Sequence, residues 1–339
     1  PLPASLDRLP GWIPPALALL AALLVWQLAD VLLLVFAALL LALILRALAE
    51  PLSTRLPLSD RVALVIVVGV LLAAALGMLA LFGTEVRAQL VDLGERLPAA
   101  WDELRTHLSR TRLGAALLDW IAQSRSGGNV AGALGSAMSI TATMMTSLLL
   151  VLAGAIYFAA QPDVYWRGAI GMLPPAWRTP AKDVLTCVGR SLRRWLLAQG
   201  AAMLLVGTLV GVGSALLGLP SALALGLLAG VAEFVPVVGA VIAALPAILL
   251  ALAQGWDVAL WAALMFFAIQ QLEGNVISPL LIRSSVSVPP AVTLFAILGF
   301  GALFGVMGVL LAAPLAVTVH VLVTEFWARR LPPPAAGIP

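Results

Sequence analysis

The chain has 339 residues, of which 62% are hydrophobic and 10% charged, with a formal net charge of +3 and a mean hydropathy of +1.09. Soluble globular proteins run near 45–50% apolar and about 25% charged, so this much apolar surface needs lipid around it; a soluble enzyme, a nucleic-acid binder and a disordered protein are excluded. The nineteen basic residues, Arg everywhere except Lys182, sit at the ends of apolar segments as orienting charges do. Cys187, the only cysteine, excludes an intrachain disulfide and a cysteine metal cluster.

About 20 apolar residues cross a bilayer core of roughly 30 Å. The spacing predicts spans at Trp12–Leu28 and Val31–Leu45, joined as a tight hairpin at Ala29–Asp30, then Val62–Phe82 and Ile140–Ala160. The first three make an N-terminal unit over 11–83, and the fourth falls within 137–160. Ala47-Leu48-Ala49 resembles a small-residue cleavage site, but two apolar segments precede it where a signal peptide has one, so the spans read as uncleaved. Trp12, Trp26, Trp195, Trp256 and Trp327 mark segment ends at the headgroup level.

The loops set an orientation. The Ala29–Asp30 turn has no basic residue, whereas Arg46, Arg55 and Arg61 follow the second span and Arg167, Arg178, Lys182, Arg190, Arg193 and Arg194 fill the linker over 161–194. With Arg283 and Arg329–Arg330, all lie on one side if both termini are cytoplasmic. The segment over 84–136 is then outside. Val86, Leu90, Leu93, Leu97, Trp101, Leu104 and Leu108 form one helical stripe there, with Pro98 starting a second helix, so it reads as amphipathic helices packed on each other or on a neighbouring subunit, with a substrate receptor as the alternative. His107 reads as an exposed polar residue, and Gly127-Gly128-Asn129 as a returning loop.

The 195–328 region holds a repeat. Two stretches, over 220–252 and 289–322, align Pro220 with Pro290, Gly239 with Gly308 and Pro246 with Pro314, and each follows a longer apolar helix, Trp195–Leu219 and Trp256–Leu272. The arms Pro220–Phe234 and Gly239–Leu252 come to about 21–23 Å at 1.5 Å per residue, short of the bilayer core. Short, Gly/Pro-interrupted segments in matching positions point to a transporter's binding site; ordinary spans in a thinned bilayer are the alternative. Gly299, Gly301, Gly305 and Gly308 read as close helix packing. The expected fold is an all-α integral membrane protein of 7–8 segments, counting the two broken hairpins.

Between Trp195 and Ile282 only Glu233, Asp257 and Glu273 carry charge. Asp257 follows Gly255-Trp256 and reads as a solvated helix end. Glu233 lies at the tip of the first hairpin, where a carboxylate at depth costs at least about 2.5–3.5 kcal/mol and must be protonated, paired or facing water; the bland alternative is a tip at the far surface. Gln270 and Glu273 are three apart and Gln271 and Asn275 four apart, so each pair shares a helix flank. Pro279 follows and interrupts the ladder. These amides suit a polyhydroxylated solute, or interhelical hydrogen bonds. No zinc-protease, Walker or nucleophile-elbow motif is present, so no enzyme, metal or cofactor is expected.

The run Gly218-Leu-Pro-Ser-Ala…Gly226…Gly230…Glu233-Phe-Val-Pro236-Val-Val-Gly239…Pro246, with Gln270-Gln-Leu-Glu-Gly-Asn-Val-Ile-Ser-Pro279, Gly305…Gly308 and Pro314, resembles the autoinducer-2 exporter family of bacterial membrane proteins, most strongly over 190–323. At Glu233 the chain departs from the Asn or other polar residue common in that family, leaving Glu273 as the family-wide acid. The resemblance implies export of small solutes across the inner membrane, or sodium or lithium exchange for protons, by a homo-oligomer with a pentamer as candidate.

The expectation is a proton-driven exporter of a small polar solute like autoinducer-2, with membrane lipids around it and no nucleic-acid partner. Glu233 and Glu273 would couple protons or cations. Gln270, Gln271 and Asn275 would contact solute. Pro220, Pro236, Gly239, Pro246, Pro279, Pro290, Gly305, Gly308 and Pro314 would shape the hairpins. A Na+(Li+)/H+ antiporter and a passive oligomeric channel or scaffold are the alternatives.

Overall fold

A computed structural model describes residues 27–73, 146–277 and 289–328, with isolated positions at 23, 76–77, 88, 91, 95, 102, 105–106, 109 and 280. The expected first span, the 84–136 segment, Pro279, Arg283 and Arg329–Arg330 lie outside this description, the isolated positions apart. What is described is helical: α1 (Ala29–Arg55), α2 (60–73), α3 (Thr146–Ala160), α4 (Pro162–Gly171), α5 (Pro175–Leu216), α6 (Ala222–Ala232), α7 (Val238–Leu252), α8 (Trp256–Leu272) with a π-helical turn Glu273–Ile277, and α9 (Pro290–Ala328).

Four of these segments are long and apolar enough to cross a membrane, and α3 with α4 makes a fifth candidate bent by 89°. Leu204, Leu216 and Phe295 are 75%, 83% and 73% exposed. Large side chains so exposed are tolerable only in lipid or at a partner surface. The protein is an all-α, multi-pass membrane protein.

α1 runs ten residues past the expected end at Leu45, through Pro51 to Arg55, with Asp30 in its first turn and Arg55 in its last; both charges suit the helix dipole. The boundary expected between linker and span at 194/195 is absent. A single helix of 42 residues covers both, about 63 Å at 1.5 Å per residue, so only half of it fits a 30 Å core. Its polar half carries Arg190, Arg193 and Arg194 and its apolar half starts at Trp195. Arg178 closes the turn before it, donating from Nε to the Leu173 carbonyl (3.0 Å) and from Nη2 to that of Gly171 (3.2 Å).

Three larger cores and one smaller one share these helices. Leu33 and Leu40 of α1 pack with Val188 and Leu196 of α5 and with Val317 and Val321 of α9. The other half of α1, through Ala42, Leu45 and Ala49, meets Ala63 and Leu64 of α2 and Ala155 and Ala159 of α3. Val206 and Val210 of α5 join α6, α7 and α8 in the third. α5 thus runs beside both halves of the bundle.

Candidate functional site

The first hairpin is built on α5. After Leu216 the chain turns back through Ser221 (φ 60°), and α6 runs antiparallel along α5 with glycine against glycine. A Cβ on Gly226 would lie 2.7 Å from the Cα of Gly211, and one on Gly230 2.9 Å from the Met203 carbonyl. Only glycines let two backbones approach this closely. The tip spans residues 233–237. Its last residue, Val237, has φ 68° and ψ −53°, and across it the Val238 N–H donates to the Pro236 carbonyl at 2.8 Å. That is a positive-φ γ-turn, a strained conformation for a β-branched residue. Gln199 of α5 holds the tip, its Nε2 donating to the Glu233 carbonyl at 2.6 Å, and Trp195 meets Phe234 edge-on at 6.1 Å. The tip therefore reaches the level of Trp195–Gln199, close to the basic half of α5.

The second hairpin is α9. Gly305 has φ 60° and ψ −142° inside it, a region open only to glycine. A Cβ on Gly308 would run into the carbonyl of Phe300. Eight residues of straight helix would separate those groups by about 12 Å, so the chain folds back at Gly305. A Cβ on Gly239 would likewise run into the carbonyl of Ala232, so the aligned glycines occupy equivalent places in the two hairpins. The second hairpin approaches from the other end of α5: Cys187 lies beside Glu325, and Leu311 packs in the cluster that holds Leu196. The tip of the first hairpin packs against the arms of the second, with Val235 against Ile297 and Ala312.

Pro246 and Pro314 do not break their helices, contrary to the expectation that they interrupt them. α7 is continuous from Val238 to Leu252, and α9 from Gly305 onward; a proline removes one ladder bond, which surrounding helices can compensate. Pro220 lies in the turn before α6, Pro236 in the tip, and Pro290 opens α9, where its missing N–H costs nothing. Gly301 would bring a Cβ within 2.8 Å of Val309, but Gly299 and Gly305 have nothing within 4 Å, so the close packing read across 299–308 does not include them.

The two acids, 40 residues apart in sequence, come together. Glu233 is 2% exposed, and its carboxyl lies beside that of Glu273. Glu273 opens the π-helical turn, a feature common at functional sites. Gln270 Nε2 donates to its Oε2 at 3.0 Å. Beside them is a cavity of about 10 Å³ walled by Val206, Val210, Ala229, Phe266 and Ile269, large enough for one water-sized occupant.

Gln271 and Asn275 form a separate pair, Asn275 Nδ2 donating to the Gln271 side-chain oxygen and to its backbone carbonyl, both at 3.0 Å. They are exposed and do not line this cavity. Sequence reading missed Gln199, whose only signal is a lone amide one turn beyond Trp195 in an apolar run. It also missed the turn at Val237, which composition does not reveal.

Residues 16–328 match the sequence model of the AI-2E family transporters. The chain is 32% identical over 159 residues to YrrI of Bacillus subtilis, covering 47% of this chain and 45% of that protein. It is 24% identical over 243 residues to YueF of the same organism, covering 72% and 64%. With MT0215 of Mycobacterium tuberculosis it shares 35% over 188 residues, covering 54% and 50%. The chain thus spans about half to two thirds of the length of these curated relatives. Each is named for transport, and none of the names specifies a substrate.

Proposed function

The chain belongs to the AI-2E family of transporters, and we propose that it is a secondary transporter that exports a small polar solute across a bacterial inner membrane, driven by protons passing through Glu233 and Glu273. One observation carries the reading: a buried Glu233 beside Glu273 at a shared cavity. Two neighbouring acids out of water can pass a proton or cation between them when the surroundings change, and the amide of Gln270 fixes the Glu273 oxygen that faces it. Broken helices such as these hairpins, whose contact runs through Val235 and Ala312, are where transporters place such groups. The basic loops support a reading in which both termini face the cytoplasm.

Sodium or lithium exchange for protons is the second reading. A cavity of about 10 Å³ fits a cation or a water and is too small for an organic solute in this conformation.

The test is transport in proteoliposomes under an imposed pH gradient, comparing wild type with Glu233→Gln and Glu273→Gln and offering autoinducer-2 and sodium in parallel. The proposal expects gradient-dependent autoinducer-2 flux that either substitution reduces to the level of empty liposomes. Sodium flux alone selects the antiporter. Flux that ignores both the gradient and the substitutions rejects the site and leaves a passive pore.

A further inference from the structure

A second cavity, of about 450 Å³, lies away from the paired acids, between α1, α2, α3, α4 and the polar half of α5. That volume is in the range of small-ligand sites. Arg46, Arg61, Arg190 and Arg193 line it, together with two carboxylates, Glu50 and Asp60. Four positive charges against two negative ones leave a surplus of two. Glu50 is already paired with Arg193.

The opposite wall is apolar. Leu43, Leu64 and Ala159 line the cavity, and the last two belong to the core that joins the membrane helices. Trp166 completes it from α4, the helix that bends 89° away from α3 as one lying along a bilayer surface would; tryptophan suits that level. A cleft with arginines on one wall and hydrocarbon on the other, at the end of several spans, matches one ligand chemistry: a phosphate group, alone or beside an acyl chain.

We propose that this cleft binds a phosphate-bearing anion, and the apolar wall favours an anionic phospholipid headgroup over a soluble phosphate as its source. Arg46 and Arg193 are half-buried, so they are preorganised to contact phosphate oxygens. Gly189 faces the cleft, and a Cβ there meets nothing within 4 Å. A larger side chain at this point fills the cleft without touching a charge or straining the helix.

The test is native mass spectrometry of the purified full chain in detergent, titrated with phosphatidylglycerol, phosphatidylcholine or inorganic phosphate. Phosphatidylglycerol is expected to bind and phosphatidylcholine to bind at least about tenfold more weakly. Arg190→Gln, which removes one charge, should weaken phosphatidylglycerol about fivefold, and Gly189→Leu, which keeps every charge, should abolish specific binding. Inorganic phosphate that binds alone and is lost in the same variants supports the site with a soluble source. Equal binding of the two lipids, or phosphatidylglycerol binding unchanged in the variants, overturns the proposal. Should one variant fail to fold, the other decides.

Discussion

Gln199 illustrates what a single amide does at a buried hairpin tip. The tip leaves the helical ladder after Ala232, and the Glu233 carbonyl finds its partner in the Gln199 side chain at 2.6 Å. Leucine at this position has similar bulk but no donor. Leaving a buried carbonyl unpaired costs about 1–3 kcal/mol, so Gln199→Leu is expected to lower the melting temperature of the purified protein. It should also reduce gradient-driven flux, because the tip that carries Glu233 loses its anchor to α5. A variant with wild-type melting and flux would show that the contact is dispensable. Glu233 itself is a different kind of residue: it is buried and shares its cavity with a second acid, Glu273, so neither acid can be understood without the other.

At the scale of elements, the two hairpins share one construction. In each, a glycine at the start of the second arm lies against a carbonyl of the first, Gly239 against Ala232 and Gly308 against Phe300. A methyl group has no room at either place. Gly239→Ala and Gly308→Ala should each destabilise by about 1–3 kcal/mol, the usual cost of overpacking. Gly299→Ala, in open space, should be neutral or stabilise by up to about 1 kcal/mol because alanine favours helix. Melting curves of the three proteins in detergent check this; equal effects at all three positions would remove the structural equivalence of the hairpins. The glycine crossing between α5 and α6 is a separate device, and it sets how closely the first hairpin lies on its support.

At the scale of the whole molecule, α5 organises the bundle. Its apolar half supports the first hairpin and Val188 and Leu192 of its polar half support the second, while the polar half also brings Arg190 and Arg193 into one cleft with Arg46 and Arg61. Basic loops gathered on one face are expected to be cytoplasmic. Thr54 and Thr186 are exposed on that face. In a Cys187→Ser background, Thr54→Cys and Thr186→Cys should resist a membrane-impermeant maleimide in intact cells and react once the inner membrane is permeabilised. Labelling of either in intact cells would reverse the orientation.

Much of this was legible in the residues alone. Hydropathy demands lipid and helices, because backbone groups in a bilayer must bond within their own segment, and Gly and Pro mark hairpin ends because they are the residues that stop or turn a helix. The repeat, Gly305 as a break, and the pairing of Gln270 with Glu273 and of Gln271 with Asn275 all follow from spacing along one chain segment. What spacing cannot convey is contact between segments. That Glu233 meets Glu273, that Gln199 holds the tip, that Gln271 and Asn275 face away from the cavity, and that Pro246 and Pro314 leave their helices intact each depend on neighbouring helices. Side-chain periodicity states which face of a helix is apolar; only packing states what that face meets.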